Sequence, residues 1–179
     1  MITVAGVDPG IAVQGVVVLE SSCQGSTPVV AAATLTKTKK QDGPKLLVRD
    51  DDVRRLRKLL SGFAGALDGR IHAIDAIAIE TFAARLGATN AASAKTSMAY
   101  TAIITASIAW ALPVLTASPQ DIKRKVAGDV KASKRDMLDA VLCWVPSMAD
   151  VFLDHGRSEH LADAAAHALL GIWKLEGKR

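Results

Sequence analysis

At 179 residues, half of them hydrophobic and 22% charged, the chain is expected to fold as one domain with a buried core, which excludes a disordered segment. Every apolar stretch is broken by Thr, Ser or a charge before it reaches membrane-spanning length, and Asp8 interrupts the N-terminal run that would have to serve as a signal peptide, so neither a span nor a signal peptide is expected and a cytoplasmic location is. The net charge of +4 is modest, but the cations are grouped (Lys37, Lys39, Lys40, Lys45; Arg54, Arg55, Arg57, Lys58; Lys123, Arg124, Lys125; Lys131, Lys134, Arg135), which suits a polyanion as well as it suits solvated helix faces.

The first element carries the most information. Residues 2–7 form a short apolar run that reads as a buried strand, and it ends on the carboxylate of Asp8. Pro9 keeps Asp8 extended, and Gly10 lets the chain turn sharply behind it. Residues 2–8, 14–20 and 28–35 read as three strands whose short connections favour antiparallel pairing. A polar, lysine-bearing loop spans residues 37–49. Val53, Leu56, Leu59, Leu60 and Phe63 then recur at helical spacing, with the arginines on the other face. Residues 74–80 (Ile-Asp-Ala-Ile-Ala-Ile-Glu) are a second apolar strand ending in a carboxylate, and a strand, helix, strand unit implies a right-handed crossover to a parallel partner.

Residues 90–111 read as a long alanine-rich helix, opened by Asn90 or Ser93 and stopped near Pro113. Residues 114–116 are a short strand, and Ser118-Pro119 reads as an N-cap with proline at the first helical position. Further helices run from about Ser133 to Trp144 and from Ser158 to Glu176. Cys23 and Cys143 form no ligand-like cluster and read as reduced thiols. No repeat, linker or composition break divides residues 1–179, so a single α/β domain is expected, with a mixed sheet covered by helices.

Asp8 and Glu80 both end strands expected to be parallel, at the sheet edge where open α/β folds bind ligands. On neighbouring strands about 4.8 Å apart, the two carboxylates can share a hard cation such as magnesium. In the last helix, His160, Asp163 and His167 fall within roughly a 60° arc at about 100° per residue. Leu161, Ala165, Ala168 and Ile172 make the adjoining apolar face, so His160 and Asp163 sit on the shoulder of a buried stripe. Taken singly, each of these residues is as well explained by packing or by the helix dipole. Together with Asp8 and Glu80 they read as ligands, with His167 supporting the site or the fold from outside the ligand set.

Gly6-Val7-Asp8-Pro9-Gly10, the strand end Ile79-Glu80 and His160-Leu161-Ala162-Asp163 resemble the RuvC family of Holliday junction resolvases. The likeness continues through Asn90-Ala91-Ala92-Ser93-Ala94 and from Ile122 to Lys134, and it spans nearly the whole chain in order and spacing. It implies an RNase H-like fold, a mixed five-stranded sheet flanked by helices on both faces. It also implies phosphodiester hydrolysis with Mg2+, replaceable by Mn2+, at two ions per site. In that pattern Asp8 bridges both ions, Glu80 and Asp163 each complete one site, and His160 is a further ligand or orients water. Lys123 and Lys134 match two functionally important lysines, with Lys134 in the catalytic set. The DNA-binding set is Lys123, Arg124, Lys125, Lys131, Lys134, Arg135 and Phe82, although Phe82 reads equally as the family's junction wedge or as core packing.

Further implications are a homodimer acting on four-way DNA junctions, with no membrane partner and a nucleoid location. The departures are His160, where many members carry aspartate and others histidine, a longer segment at 81–89, and the unusual basic segment 37–49. Two rival functions remain open: a branched-DNA nuclease less selective for junctions, and a junction-binding protein without catalysis. An actin-like or sugar-kinase-like phosphotransferase also begins with an Asp-x-Gly turn, but it needs two such lobes.

Overall fold

The structure is a computed structural model that describes residues 1–41, 48–81 and 90–177. Strand β1 (Ile2–Asp8) pairs antiparallel with β2 (Val13–Ser21), and β2 pairs antiparallel with β3 (Val29–Lys37). On its other side β1 pairs in parallel with β4 (Ala76–Glu80), and β4 pairs in parallel with β5 (Val114–Ala117). The result is the expected five-stranded mixed sheet, in the order β3-β2-β1-β4-β5.

Both faces of the sheet are covered, because side chains alternate along each strand. Ala5, Val7, Val16, Val18, Ile77 and Ile79 point to one face, against Phe63 and Leu67 of helix α1 (Val48–Leu67) and Ile103 of α2 (Asn90–Ala109). Val4, Val17, Leu19 and Ala78 point to the other, against the buried stripe of α6 (Glu159–Leu175). Outside α6 lie α3 (Pro119–Ile122), a π-helical turn (Lys123–Ala127), α4 (Lys134–Trp144) and α5 (Met148–His155). No helix among the described residues is long and apolar enough to cross a membrane.

The end signals act as their chemistry dictates. Ser118 accepts a hydrogen bond from the Asp121 amide at 3.1 Å, and Pro119 opens α3. Ser133 and Asp136 form a reciprocal capping box on α4. Residues 74 and 75 are not strand: Ile74 closes a 3-10 turn, and Asp75 trades hydrogen bonds with Thr3 across the end of β1. Helix α1 starts at Val48, earlier than the apolar spacing suggests, because its first turns bury Asp51 and Asp52 instead of aliphatic side chains.

Two features depart from the hydropathy pattern. Val53 is exposed while Arg55 is only 6% exposed, so one arginine of α1 turns inward and does not join the solvated face. Helix α5 lies between Pro146 and Gly156; its single buried pair, Met148 and Phe152, is too short a repeat to register as a periodic signal.

Helix α6 approaches the sheet at backbone distance. A Cβ on Gly6 would lie 1.9 Å from the Ala164 carbonyl oxygen, and one on Gly15 would lie 2.1 Å from that of His160. Gly6→Ala should therefore force the helix outward and cost about 3 kcal/mol, lowering the Tm by roughly 6–12 °C in a calorimetric scan. Gly65→Ala, on the open face of α1 where an added methyl meets nothing, should instead stabilise by about 0.5–1 kcal/mol.

Candidate active site

The parallel register Val7↔Ile79 carries one step further to bring Asp8 alongside Glu80 at the carboxyl ends of β1 and β4. Alternation sends Asp8 to the same face as Val4 and Gly6, the face covered by α6. The first turns of α6 then deliver His160 and Asp163 over that edge. His160 Nδ1 lies 2.6 Å from Asp8 Oδ2, with the histidine side chain 44% and the aspartate 22% exposed. The four residues read from the sequence as one constellation are thus gathered at one end of the sheet.

Their electrostatics is that of an acidic cluster short of cations. Loss of solvent around its carboxyl and the nearby charges of Asp8 and Glu80 push Asp163 up to about 7. The residue as a whole is exposed, so repulsion by the two neighbouring carboxylates carries more of that rise than burial does. The hydrogen bond that the Asp8 carboxylate accepts raises the His160 pKa, opposed by partial burial. The raised pKa favours the form of His160 that donates to Asp8 and carries positive charge into the group of three carboxylates.

Lys134 supplies more. It is ion-paired with Glu159, and that hydrogen bond, with weaker contributions from Asp163 and Asp8, raises its pKa. His167 is fully buried one turn beyond Asp163, and desolvation lowers it to about 4. It is neutral, its Nδ1 has no hydrogen-bond partner among the described residues, and it contributes no charge to the site.

The remaining cations singled out in the sequence are in different states. Lys123 Nζ donates to the Ala132 carbonyl at 2.7 Å, tying the π turn to the start of α4. Arg124 pairs with Asp121 at 3.1 Å and Arg135 with Asp139 at 3.9 Å, all exposed. Lys125 and Lys131 are exposed. Phe82 lies outside the described residues. Beside His160 a groove of about 400 Å³ opens, flanked by Lys37, His155 and Arg157. Glu159 was not foreseen from the sequence as the partner of Lys134; the only signal for it is an acid at the first helical position, which the helix dipole already favours.

Three carboxylates make a hard oxygen donor set suited to a divalent cation, with an imidazole of borderline character beside them, and the carboxylates' mutual repulsion is what such a cation would relieve. Among the described residues, however, no three His, Cys, Asp or Glu side chains already close into a metal-holding cluster. Asp8 is turned onto His160 instead.

Residues 4–170 match the family model of the crossover junction endodeoxyribonuclease RuvC. Among solved structures, RuvC of Thermus thermophilus superposes with a TM-score of 0.76 at 22% identity, covering 98% of this chain and 96% of that one. T. thermophilus RuvC in complex with a Holliday junction substrate gives 0.73 at 23% identity, covering 99% and 98%. The fowlpox virus Holliday junction resolvase gives 0.55 at 14% identity, covering 97% and 99%. These likenesses concern the fold, which is RNase H-like. No curated protein matches the chain in sequence.

The raised Asp163 pKa has a signed consequence for the metal-free protein. A carboxyl whose folded-state pKa of about 7 lies above its unfolded value of 3.8 binds more protons folded than unfolded between those two pH values. Its contribution to stability is therefore lost as pH rises through that window, and the loss is complete above about 7. In a chelator, the Tm of wild type should fall relative to Asp163→Asn as the pH is raised from acid to neutral. Parallel Tm curves for the two proteins would contradict the repulsive cluster.

Proposed function

The chain belongs to the RuvC family of crossover junction endodeoxyribonucleases, and from that premise we propose how its site resolves a four-way DNA junction. The reaction is hydrolysis of a phosphodiester bond in branched DNA, and the observation that carries the reading is the meeting of Asp8, Glu80, His160 and Asp163 at one sheet edge. Asp8, Glu80 and Asp163 would hold the divalent cations, with His160 as a further ligand. Two Mg2+ ions, with Mn2+ able to replace them, would activate the attacking water and stabilise charge on the departing 3′ oxygen.

The chain's own residues do the rest. Lys134 exchanges Glu159 for the scissile phosphate, an exchange open to it because both partners are solvent-exposed and the pair is correspondingly weak. Lys123 reaches the neighbouring phosphate from the π turn, giving up its bond to Ala132. Arg124, Lys125, Lys131 and Arg135 contact the backbone further out, where cations set position and affinity and leave base sequence unread. The groove flanked by Lys37, His155 and Arg157 lets the cut strand continue past His160 on the opposite side. With His160 neutral and no longer donating to it, the Asp8 carboxylate would be available to hold the cations.

Symmetric cutting of two strands needs two such sites, so the working form is a homodimer. One face of α2 supports this, with Met98, Thr101, Thr105 and Ile108 all exposed along it. Action on DNA places the protein with the nucleoid.

Cleavage of a mobile four-way junction in Mg2+ tests the reading. Asp8→Asn and Asp163→Asn should each cut at least about 100-fold more slowly, while junction affinity stays within about twofold because the phosphate contacts remain. Lys134→Ala should reduce the slope of log affinity against log salt by about 1. A preference for flaps over junctions would replace the resolvase reading with that of a less selective branched-DNA nuclease. A wild type that binds junctions but cuts nothing in Mg2+ or Mn2+ would be a binding protein.

A further inference from the structure

Behind the catalytic turn, on the face of the sheet away from α6, lies a polar cluster that the cutting chemistry does not use. Thr38, Asp52 and Arg55 are exposed by only 7%, 6% and 6%. Arg55 Nε donates to Thr38 Oγ1 at 2.9 Å, and Arg55 Nη2 donates to the Ile11 carbonyl at 3.2 Å. Thr38 Oγ1 donates to that same carbonyl at 2.5 Å, and the Thr38 amide to the Ala12 carbonyl at 2.8 Å. Asp52 lies 3.8 Å from Arg55 Nη1 and 3.1 Å from Lys95 Nζ of α2.

A buried ion cluster of this kind is no more stabilising than apolar packing of the same volume, so stability alone does not account for it. Its location does. Residues 9–12 link β1 to β2 and lie outside the ladder that ends at Asp8↔Gly15. The carbonyls of Ile11 and Ala12 are held by Thr38, the residue that follows β3, and by Arg55 of α1. Each of those bonds fixes the short tether that begins at the Asp8 carbonyl.

We propose that Arg55, acting with Thr38 through the Ile11 carbonyl, is a positioning residue for Asp8. It holds the 9–12 turn so that the Asp8 carboxylate faces Glu80 and Asp163, and Asp52 extends the hold to α2 through Lys95. The inference rests on the reading of Asp8 as a metal ligand. It says that the geometry of that ligand is set from the far side of the sheet, by groups that touch neither metal nor DNA.

The test is calorimetric titration of the DNA-free protein with Mn2+, alongside its Tm and its cleavage of a four-way junction. Arg55→Met should raise the half-saturating Mn2+ concentration by about tenfold or more, the range expected when an outer support of a metal ligand is removed. Thr38→Val, which deletes one hydroxyl at nearly constant volume, should raise it by a smaller factor. Leu67→Ala, a buried residue at the far end of α1, should lower the Tm and leave Mn2+ uptake unchanged. Junction affinity in a chelator should be unaltered in all four proteins.

If Arg55→Met does not fold, Thr38→Val and Arg55→Lys decide the matter by the same criterion. Lower Tm with unchanged Mn2+ uptake in those variants would overturn the proposal and leave the cluster a purely structural one. A wild type that takes up Mn2+ yet cuts no junction would defeat the functional reading, while the titration would still judge the positioning role. A wild type that takes up no Mn2+ would overturn both.

Discussion

The close seating of α6 on the middle of the sheet is the constraint on which the site depends. Gly6 and Gly15 offer the helix no Cβ, so the carbonyls of Ala164 and His160 come to within about a bond length and a half of where side chains would stand. At that separation the first turn of α6 lies directly over the carboxyl end of β1. His160 then reaches Asp8 with a short side chain, and Asp163 feels the charges of both Asp8 and Glu80. A helix resting on ordinary side chains would stand further from the sheet, and a histidine and an aspartate at its start would not converge on a strand end.

That convergence is unfavourable in itself. Three carboxylates are drawn to one edge, and the metal-free protein answers with a raised Asp163, a raised His160 bonded to Asp8 and a lysine paired nearby. Structural needs would not select such a group: like charges at short range oppose folding, and relief comes only from protons or an added cation. The same edge is braced from behind by Thr38, Arg55 and Asp52, also buried and also polar. The site is thus a strained acidic face held between a tightly seated helix in front and a hydrogen-bonded clamp behind.

How far the sequence reveals this depends on which physical signal each part leaves. Asp8 is legible because a carboxylate between an apolar run and Pro-Gly has no packing rationale, and Glu80 is legible for the same reason at the end of β4. Ser118 and Ser133 are legible because capping is a local matter, settled within four residues. Arg55 is not legible: hydropathy assigns every arginine to the solvated face, and the partners that make its burial tolerable include Thr38 Oγ1 and the Ile11 carbonyl, 17 and 44 positions away. Helix α5 is missed because one buried pair does not make a period. The Lys123 bond to Ala132 and the Lys134 bond to Glu159 are missed because the long side chains of lysine choose among partners that only the folded chain supplies.

The sequence by itself determined the strands, the mixed α/β order, the parallel pairing of β1 with β4 and the choice of four residues that the fold brings to one sheet edge. Each of these follows from local periodicity, from turn chemistry or from the handedness of a crossover. Only the tertiary structure decided that Asp8 is bonded to His160, that Asp163 is pushed toward neutrality, and that Arg55 faces inward beneath the turn. The physical reason is range. Propensity and pattern act over a few residues, whereas charge repulsion, desolvation and a donor's choice of carbonyl depend on atoms brought together from β1, β3, α1 and α6.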